Sequence, residues 1–196
     1  MRGFLLMKIA VINNYDSFVY NIIHFLECFD GVEVEVFLND DVYLEELEKF
    51  DKIVLSPGPG IPKEAGKLLE IIGFYKDKKS ILGICLGHQA IAEYFGCELI
   101  NLEKPLHGVS SKLNIIEPDY LWNELSEEIQ IGHYHSWSVN PLKVSEQIIP
   151  TALDDLGNIM ALKHAFYNIR GVQFHPESVL TPQGKKIIEN WIFYKG

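Results

Sequence analysis

The chain has 196 residues, 47% of them hydrophobic, a formal net charge of −10 and three cysteines. That acidic balance, with no Lys/Arg run, argues against a surface for nucleic-acid phosphates, and the apolar content suits one well-buried core rather than two. An odd cysteine count argues against a disulfide framework and fits a reducing, cytoplasmic setting.

Residues 1 to 7, MRGFLLM, are too short for a secretory signal or a membrane span; they read as an N-terminal extension, with Met7 at the start of the fold. From there apolar runs predict strands at 8–12, 32–37, 52–55 and 80–84, alternating with helical patterns at 17–28, 44–49, 65–75 and 87–95. Repeated β-α units call for an α/β fold, a mostly parallel sheet with helices on both faces, its site beyond the C-terminal strand ends. After Gly96 the pattern turns to shorter segments at 112–116, 129–134, 147–153 and 159–163, with a hairpin signal over Asp155-Leu156-Gly157-Asn158. These predict a small antiparallel, β-rich insertion before a strand at 169–174. A final helix is expected from Thr181 as N-cap and Pro182 as first residue, with Ile187, Ile188, Trp191 and Ile192 on one face. No repeat or linker interrupts this order, so a single domain is expected over 1–196.

Within it, residues 83–90 read GICLGHQA. Gly83-x-Cys85-x-Gly87, between a buried-strand pattern and a helical one, is the arrangement of a nucleophile on a sharp strand-to-helix turn, where flanking Cβ atoms would collide. Cys85 would then lie at a helix N-terminus, where the partial positive charge favours thiolate and the Leu86 N–H can donate to an oxyanion. Far downstream, GVQFHPES places His175 and Glu177 two positions apart, on one face of extended chain. His175 could take the thiol proton while Glu177 orients the imidazole, with Pro176 favouring the extended form. Directly after the strand at 52–55, SPGPG offers Gly58 and Gly60 as backbone donors between rigid prolines, so that Gly58 N–H can face a developing oxyanion.

Together with NNYDSFVYN at 13–21, SPGPGIPKEAG, GICLGHQAIAEYFG, HYHSW and GVQFHPESVLTPQG, these segments resemble the triad-type class I glutamine amidotransferases, and within them the small glutaminase subunits of anthranilate synthase and aminodeoxychorismate synthase. The likeness runs from about Lys8 to Trp191. It implies that Cys85, His175 and Glu177 hydrolyse glutamine through a thioester, with Leu86 and Gly58 forming the oxyanion hole. It further implies that Gln89, Ser136 and Trp137 hold the substrate and that Pro59 and Gly60 complete the binding loop. No cofactor is implied. A large chorismate-binding partner subunit is, because no second domain is read here that could use the ammonia. The anthranilate pathway is the first reading, the aminodeoxychorismate pathway, or a subunit serving both, the second. Two alternatives come from other classes: a non-catalytic regulatory subunit, or else an independent amide hydrolase. The intact Cys85, His175 and Glu177 argue against the former, Gln89 and Tyr134-His135-Ser136 against the latter.

His133-x-His135 would put two imidazoles on one face of a strand, as the start of a metal site, but no third ligand stands at a recognisable spacing, so no metal is expected. His135 is expected to order a loop carrying Ser136, and His88 to be structural, as are Cys28 and Cys97. Relative to the family pattern, Asn13, Val109, His133, Trp137 and Cys97 stand where Asp, Lys, Arg, Leu and Gly are usual.

Overall fold

The computed structural model describes residues 6–195. The period of two in its parallel strands decides which helices each residue meets. In β1 (Met7–Asn13), Ile9 and Val11 join one apolar cluster and Ala10 and Ile12 the other. The same division separates Val54 from Ile53 and Leu55 in the strand Lys52–Leu55, and Leu82 and Ile84 from Ile81 in Ser80–Ile84. One cluster is closed by the helices Leu68–Tyr75 and Leu86–Tyr94, the other by Val19–Glu27 and Gly184–Phe193. Strands that are apolar on both sides need two such layers, as a parallel sheet does.

In chain order these helices are α1 (Val19–Glu27), α2 (Leu68–Tyr75), α3 (Leu86–Tyr94) and α4 (Gly184–Phe193). After β1 the strands are β2 (Val32–Leu38), β3 (Lys52–Leu55), β4 (Ser80–Ile84), β5 (Leu99–Ile115), β6 (Ile129–Val139), β7 (Ile148–Leu153), β8 (Ile159–His164) and β9 (Ile169–Val172). They form one sheet in the order β2-β1-β3-β4-β9-β8-β7-β5-β6. Pairing is parallel from β2 to β9 and antiparallel from β9 to β6. The β-rich segment after Gly96 therefore continues the same sheet, joined through β9.

Several boundaries differ from the sequence reading. β5 begins at Leu99, well before the expected 112, and β6 runs on to Val139. Their pairing includes register shifts between Asn101 and Leu106 and between His107 and Val109, which break any strand-like alternation. Ser136 consequently lies on a strand, not a loop. The segment 44–49 is a 3-10 turn, and the helix expected from Ala65 starts only at Leu68. Gly66 has φ +53° there and packs so closely on Asn39 that a Cβ would lie 2.7 Å from its carbonyl oxygen. Thr181 does not cap α4: its hydroxyl donates to the His175 carbonyl at 2.7 Å and accepts from Gly132 N–H at 3.0 Å, and the helix begins at Gly184. Of the extension expected at residues 1 to 7, residues 1 to 5 lie outside the described residues; Met7 opens β1.

α4 is fastened to the sheet by a buried cation. Lys52, the first residue of β3, donates through Nζ to the carbonyls of Trp191 at 2.7 Å and Tyr194 at 3.3 Å, at the negative end of the helix. Burial lowers its pKa from 10.5 to about 8, against a smaller opposing effect of Asp51. Between these two pH values the unfolded chain binds more protons than the folded one, so this group's contribution to stability rises with pH. In paired urea titrations at pH 7.5 and 10, the wild type is expected to gain stability relative to Lys52→Met; a constant difference would contradict the assignment.

Candidate active site

Cys85 stands between β4 and α3 with φ 51° and ψ −101°, a conformation that L-residues rarely adopt. Its backbone is pinned on both sides: Cys85 N–H donates to Val172 O at 2.9 Å, and Cys85 O accepts from Gln89 N–H at 3.1 Å. The flanking glycines leave space for nothing else. A Cβ on Gly83 would lie 2.4 Å from the carbonyl of Gly87, and one on Gly87 would lie 2.3 Å from Leu55 O. The turn anticipated from Gly83-x-Cys85-x-Gly87 is therefore formed, and it sets the thiol at the start of α3.

His175 and Glu177 follow β9 on the neighbouring strand end. His175 Nδ1–H donates to Glu177 Oε1 at 2.7 Å, with both side chains buried. Burial alone would lower the imidazole pKa, but hydrogen bonding and charge interaction with Cys85 and Glu177 outweigh it and raise the pKa well above the ordinary histidine value. Nε2 is buried and lacks a hydrogen bond of good geometry, although the Cys85 sulfur is close enough to raise its basicity. Contacts of this kind often tighten only when substrate binds. The rings of Phe18 and Tyr134 stand edge-on to His175, with centroids 5.1 Å away in each case, and so exclude solvent from it.

The 56–60 loop is fixed against the turn after β1. Ser56 Oγ accepts from Asn14 N–H at 2.9 Å and donates to Pro57 O at 2.7 Å, while Asn14 Nδ2 donates to Ser56 O at 2.8 Å and Asn39 Nδ2 to Asn14 Oδ1 at 3.0 Å. Gly58 then lies directly on Leu86: a Cβ there would be 2.6 Å from Leu86 Cδ2 and 2.5 Å from Asn14 Cβ. Among the described residues, neither Gly58 N–H nor Leu86 N–H has a protein acceptor. Gly58 and Cys85 line one cavity, and Leu86 follows Cys85 directly in the chain, so both backbone donors belong to the surroundings of the thiol.

A cavity of about 170 Å³ opens over Cys85, lined by Gly58, Pro59, Gly60, Gln89, Ser136 and Trp137 among others. Every residue expected to bind substrate reaches it. Gln89 is nearly fully buried and donates through Nε2 to Trp137 O at 2.9 Å and Gln173 Oε1 at 3.1 Å. A larger cavity of about 440 Å³, with Lys63, Glu93 and Cys97, adjoins Trp137 but contains none of Cys85, His175 and Glu177.

Residues 10–194 match the family model described as glutamine amidotransferase class-I. The chain belongs to that family. It is 42% identical over 193 residues to the bifunctional protein TrpGD of Thermotoga maritima, covering 97% of this chain and 33% of that longer protein. It is 40% identical over 188 residues to the aminodeoxychorismate/anthranilate synthase component 2 of Bacillus subtilis, covering 94% of this chain and 95% of that one. A solved structure from Thermoplasma acidophilum, described as a GMP synthase subunit, superposes with TM-score 0.85 at 26% identity, covering 95% and 92% of the two chains.

Of the other residues singled out in the sequence, His135 lines the cavity over Cys85, whereas His88, His133, Cys28, Cys97, Asn13 and Val109 lie outside its lining. His88 is fully buried, and burial pushes its pKa down to about 3, so that it is neutral; it packs on Gly171. His133 Nδ1 and His135 Nε2 meet at 3.2 Å, and their other nitrogens are taken up by Ser111 Oγ at 2.7 Å and Trp137 O at 2.9 Å. Among the described residues no group of three or more His, Cys, Asp or Glu is placed to hold a metal. Cys28 is exposed and Cys97 buried, both as free thiols. Asn13 holds the turn after β1 through Oδ1, which accepts from Tyr15 N–H at 2.9 Å, and Val109 is exposed on β5.

Four residues of the site escaped the sequence reading. Asn14 and Ser56 fasten the loop, Thr181 fastens the His175 segment, and Gln173 reaches Cys85 Sγ through Nε2 at 3.7 Å. Only Gln173 had a usable signal, since it shares the period of two with His175 and Glu177. Replacing Gly58 by Ala is expected to push the loop off Leu86 and Asn14 and to lower kcat for glutamine hydrolysis by about 10²–10³-fold. Circular dichroism should show the fold retained; activity within threefold of wild type would remove Gly58 from the oxyanion hole.

Proposed function

We propose that this chain is a glutaminase subunit that hydrolyses L-glutamine at Cys85 and hands the ammonia to a chorismate-using partner, with anthranilate synthase as the first reading. The observation that carries it is the buried 2.7 Å contact of His175 with Glu177 beside a thiol on a strained turn. In this reading the Cys85 sulfur attacks the side-chain carboxamide carbon. The oxygen takes up negative charge against the N–H groups of Leu86 and Gly58, each donor being worth about 2.7–4 kcal/mol in comparable sites. His175 gives its Nε2 proton to the departing nitrogen, ammonia leaves, and a γ-glutamyl thioester remains. Water, losing a proton to the same nitrogen, then releases glutamate. Glu177 keeps the proton on Nδ1 and balances the imidazolium. Gln89, Ser136 and Trp137 hold the amino-acid end of the substrate.

Ammonia in neutral water is mostly ammonium and no nucleophile, which favours delivery inside a complex. The second reading, aminodeoxychorismate synthase or a subunit common to both, is favoured by the Bacillus relative, whose name carries both activities. The deciding experiment measures glutamate release by the purified chain, alone and with each chorismate-binding subunit of the same organism, with chorismate present. Strong stimulation by one subunit, with anthranilate or aminodeoxychorismate as product, supports the reading and selects the pathway; no release with any partner refutes it.

Two variants probe the mechanism. Cys85→Ser is expected to abolish glutamine-dependent synthesis by the complex and to leave ammonia-dependent synthesis within about twofold; loss of both would break the link between Cys85 and ammonia supply. Glu177→Gln is expected to lower kcat less than His175→Ala, because the carboxylate orients and balances the base without replacing it. Equal losses in steady-state assays would contradict that division.

A further inference from the structure

Gln173 leaves β9 two residues before His175, is completely buried, and has no part in the reaction as described above. Its amide lies between the nucleophile and a substrate-binding residue: Nε2 is 3.7 Å from Cys85 Sγ, and Oε1 is 3.1 Å from Gln89 Nε2. The direction of each amide follows from the group at the far end. Trp137 O, a backbone carbonyl, can only accept, so Gln89 must turn its NH2 toward it at 2.9 Å. The second N–H of that NH2 meets Gln173, which must answer with its oxygen. Only the NH2 of Gln173 is then left for the sulfur.

The other lone pair of Trp137 O is occupied as well. His135 Nδ1–H donates to it at 2.9 Å, which makes His135 Nε2 an acceptor for His133 Nδ1–H at 3.2 Å and His133 Nε2 an acceptor for the Ser111 hydroxyl at 2.7 Å. Burial lowers the pKa of both imidazoles, that of His135 to about 4, so both are neutral and keep these acceptor nitrogens. The carbonyl is thus held from two sides, and Gln89 has no alternative orientation.

We propose that Gln173 is a positioning residue for Cys85, whose amide N–H, fixed in direction by Gln89 and the Trp137 carbonyl, donates to the sulfur and holds it between His175 and the oxyanion donors. The proposal rests on Cys85 being the nucleophile of the reading above. A sulfur anion is a better acceptor than a thioester sulfur, so the contact acts on the resting nucleophile and weakens once the carbon–sulfur bond has formed. Its effect falls on the chemical step more than on glutamine binding.

The test uses the full chain with exposed Cys28 replaced by Ser, and follows iodoacetamide modification of Cys85 by peptide mass spectrometry across pH, together with kcat and KM for glutamine with the partner subunit. Gln173→Met keeps the side-chain length and lacks the donor; Gln173→Glu keeps an acceptor for Gln89 and turns a negative oxygen toward the sulfur. Both variants are expected to slow alkylation at pH 7 by about tenfold, in line with loss of one hydrogen bond to a charged group, to move the alkylation profile to higher pH, and to lower kcat more than they raise KM. A role confined to holding Gln89 predicts a near-normal Gln173→Glu, and that result would overturn the proposal, as would an unshifted alkylation profile in either folded variant. Should Gln173→Met fail to fold, the near-isosteric Gln173→Glu decides alone. A wild-type Cys85 that reacts no faster than a free thiol and turns over no glutamine would instead bring down the nucleophile assignment itself.

Discussion

The backbone of Cys85 is held where an L-residue does not go unaided. A conformation of φ 51° and ψ −101° costs on the order of 1–3 kcal/mol. It persists because β4, α3 and the end of β3 meet with no space for a Cβ at Gly83 or Gly87, and because Val172 O holds the Cys85 N–H. Relaxing the turn would mean separating those elements. The strain is therefore maintained by the apolar packing of both sheet faces, and it lifts the thiol out of the sheet toward groups that come from four other parts of the chain.

Those groups are distributed according to the sheet. The parallel half supplies the elbow and, through the ends of β1 and β3, the loop with Gly58. The antiparallel half supplies β6, with Ser136 and Trp137. β9 is paired parallel to β4 and antiparallel to β8, and the segment that follows it carries Gln173, His175 and Glu177. His175 and Glu177 thus stand at the seam between the halves, where each half fixes one side of them. His175 N–H donates to Gly132 O on β6, while Cys85 N–H on the opposite side takes Val172 O.

What could be read from the sequence was whatever local rules decide. The elbow, the alternation of His175 and Glu177, and the buried runs of β1, β3 and β4 are all set by neighbours within a few residues. The rest depended on contacts far away in the chain. β5 reads poorly because Pro105, Gly108 and a run of exposed side chains hide its pairing, which the register shifts interrupt twice. Thr181 has the composition of an N-cap, yet the His175 carbonyl claims its hydroxyl. Asn14 and Ser56 look like ordinary turn residues until the two loops are brought together, and the amide of Gln173 acquires a direction only from Trp137 O, which lies on another strand.

Thr181 also ties the site to order in time. Its hydroxyl holds the His175 carbonyl, and just beyond it Gly184 sits so close to the Pro176 carbonyl that a Cβ would come within 1.8 Å of that oxygen. α4, anchored by Lys52, is the backstop against which the histidine segment is pressed. A ribosome makes the elbow before this backstop, and chains begin to fold from the N-terminal side as they emerge. The nascent protein therefore carries the Cys85 thiol before His175 exists, and the histidine segment gains its support only when the helix that follows it docks.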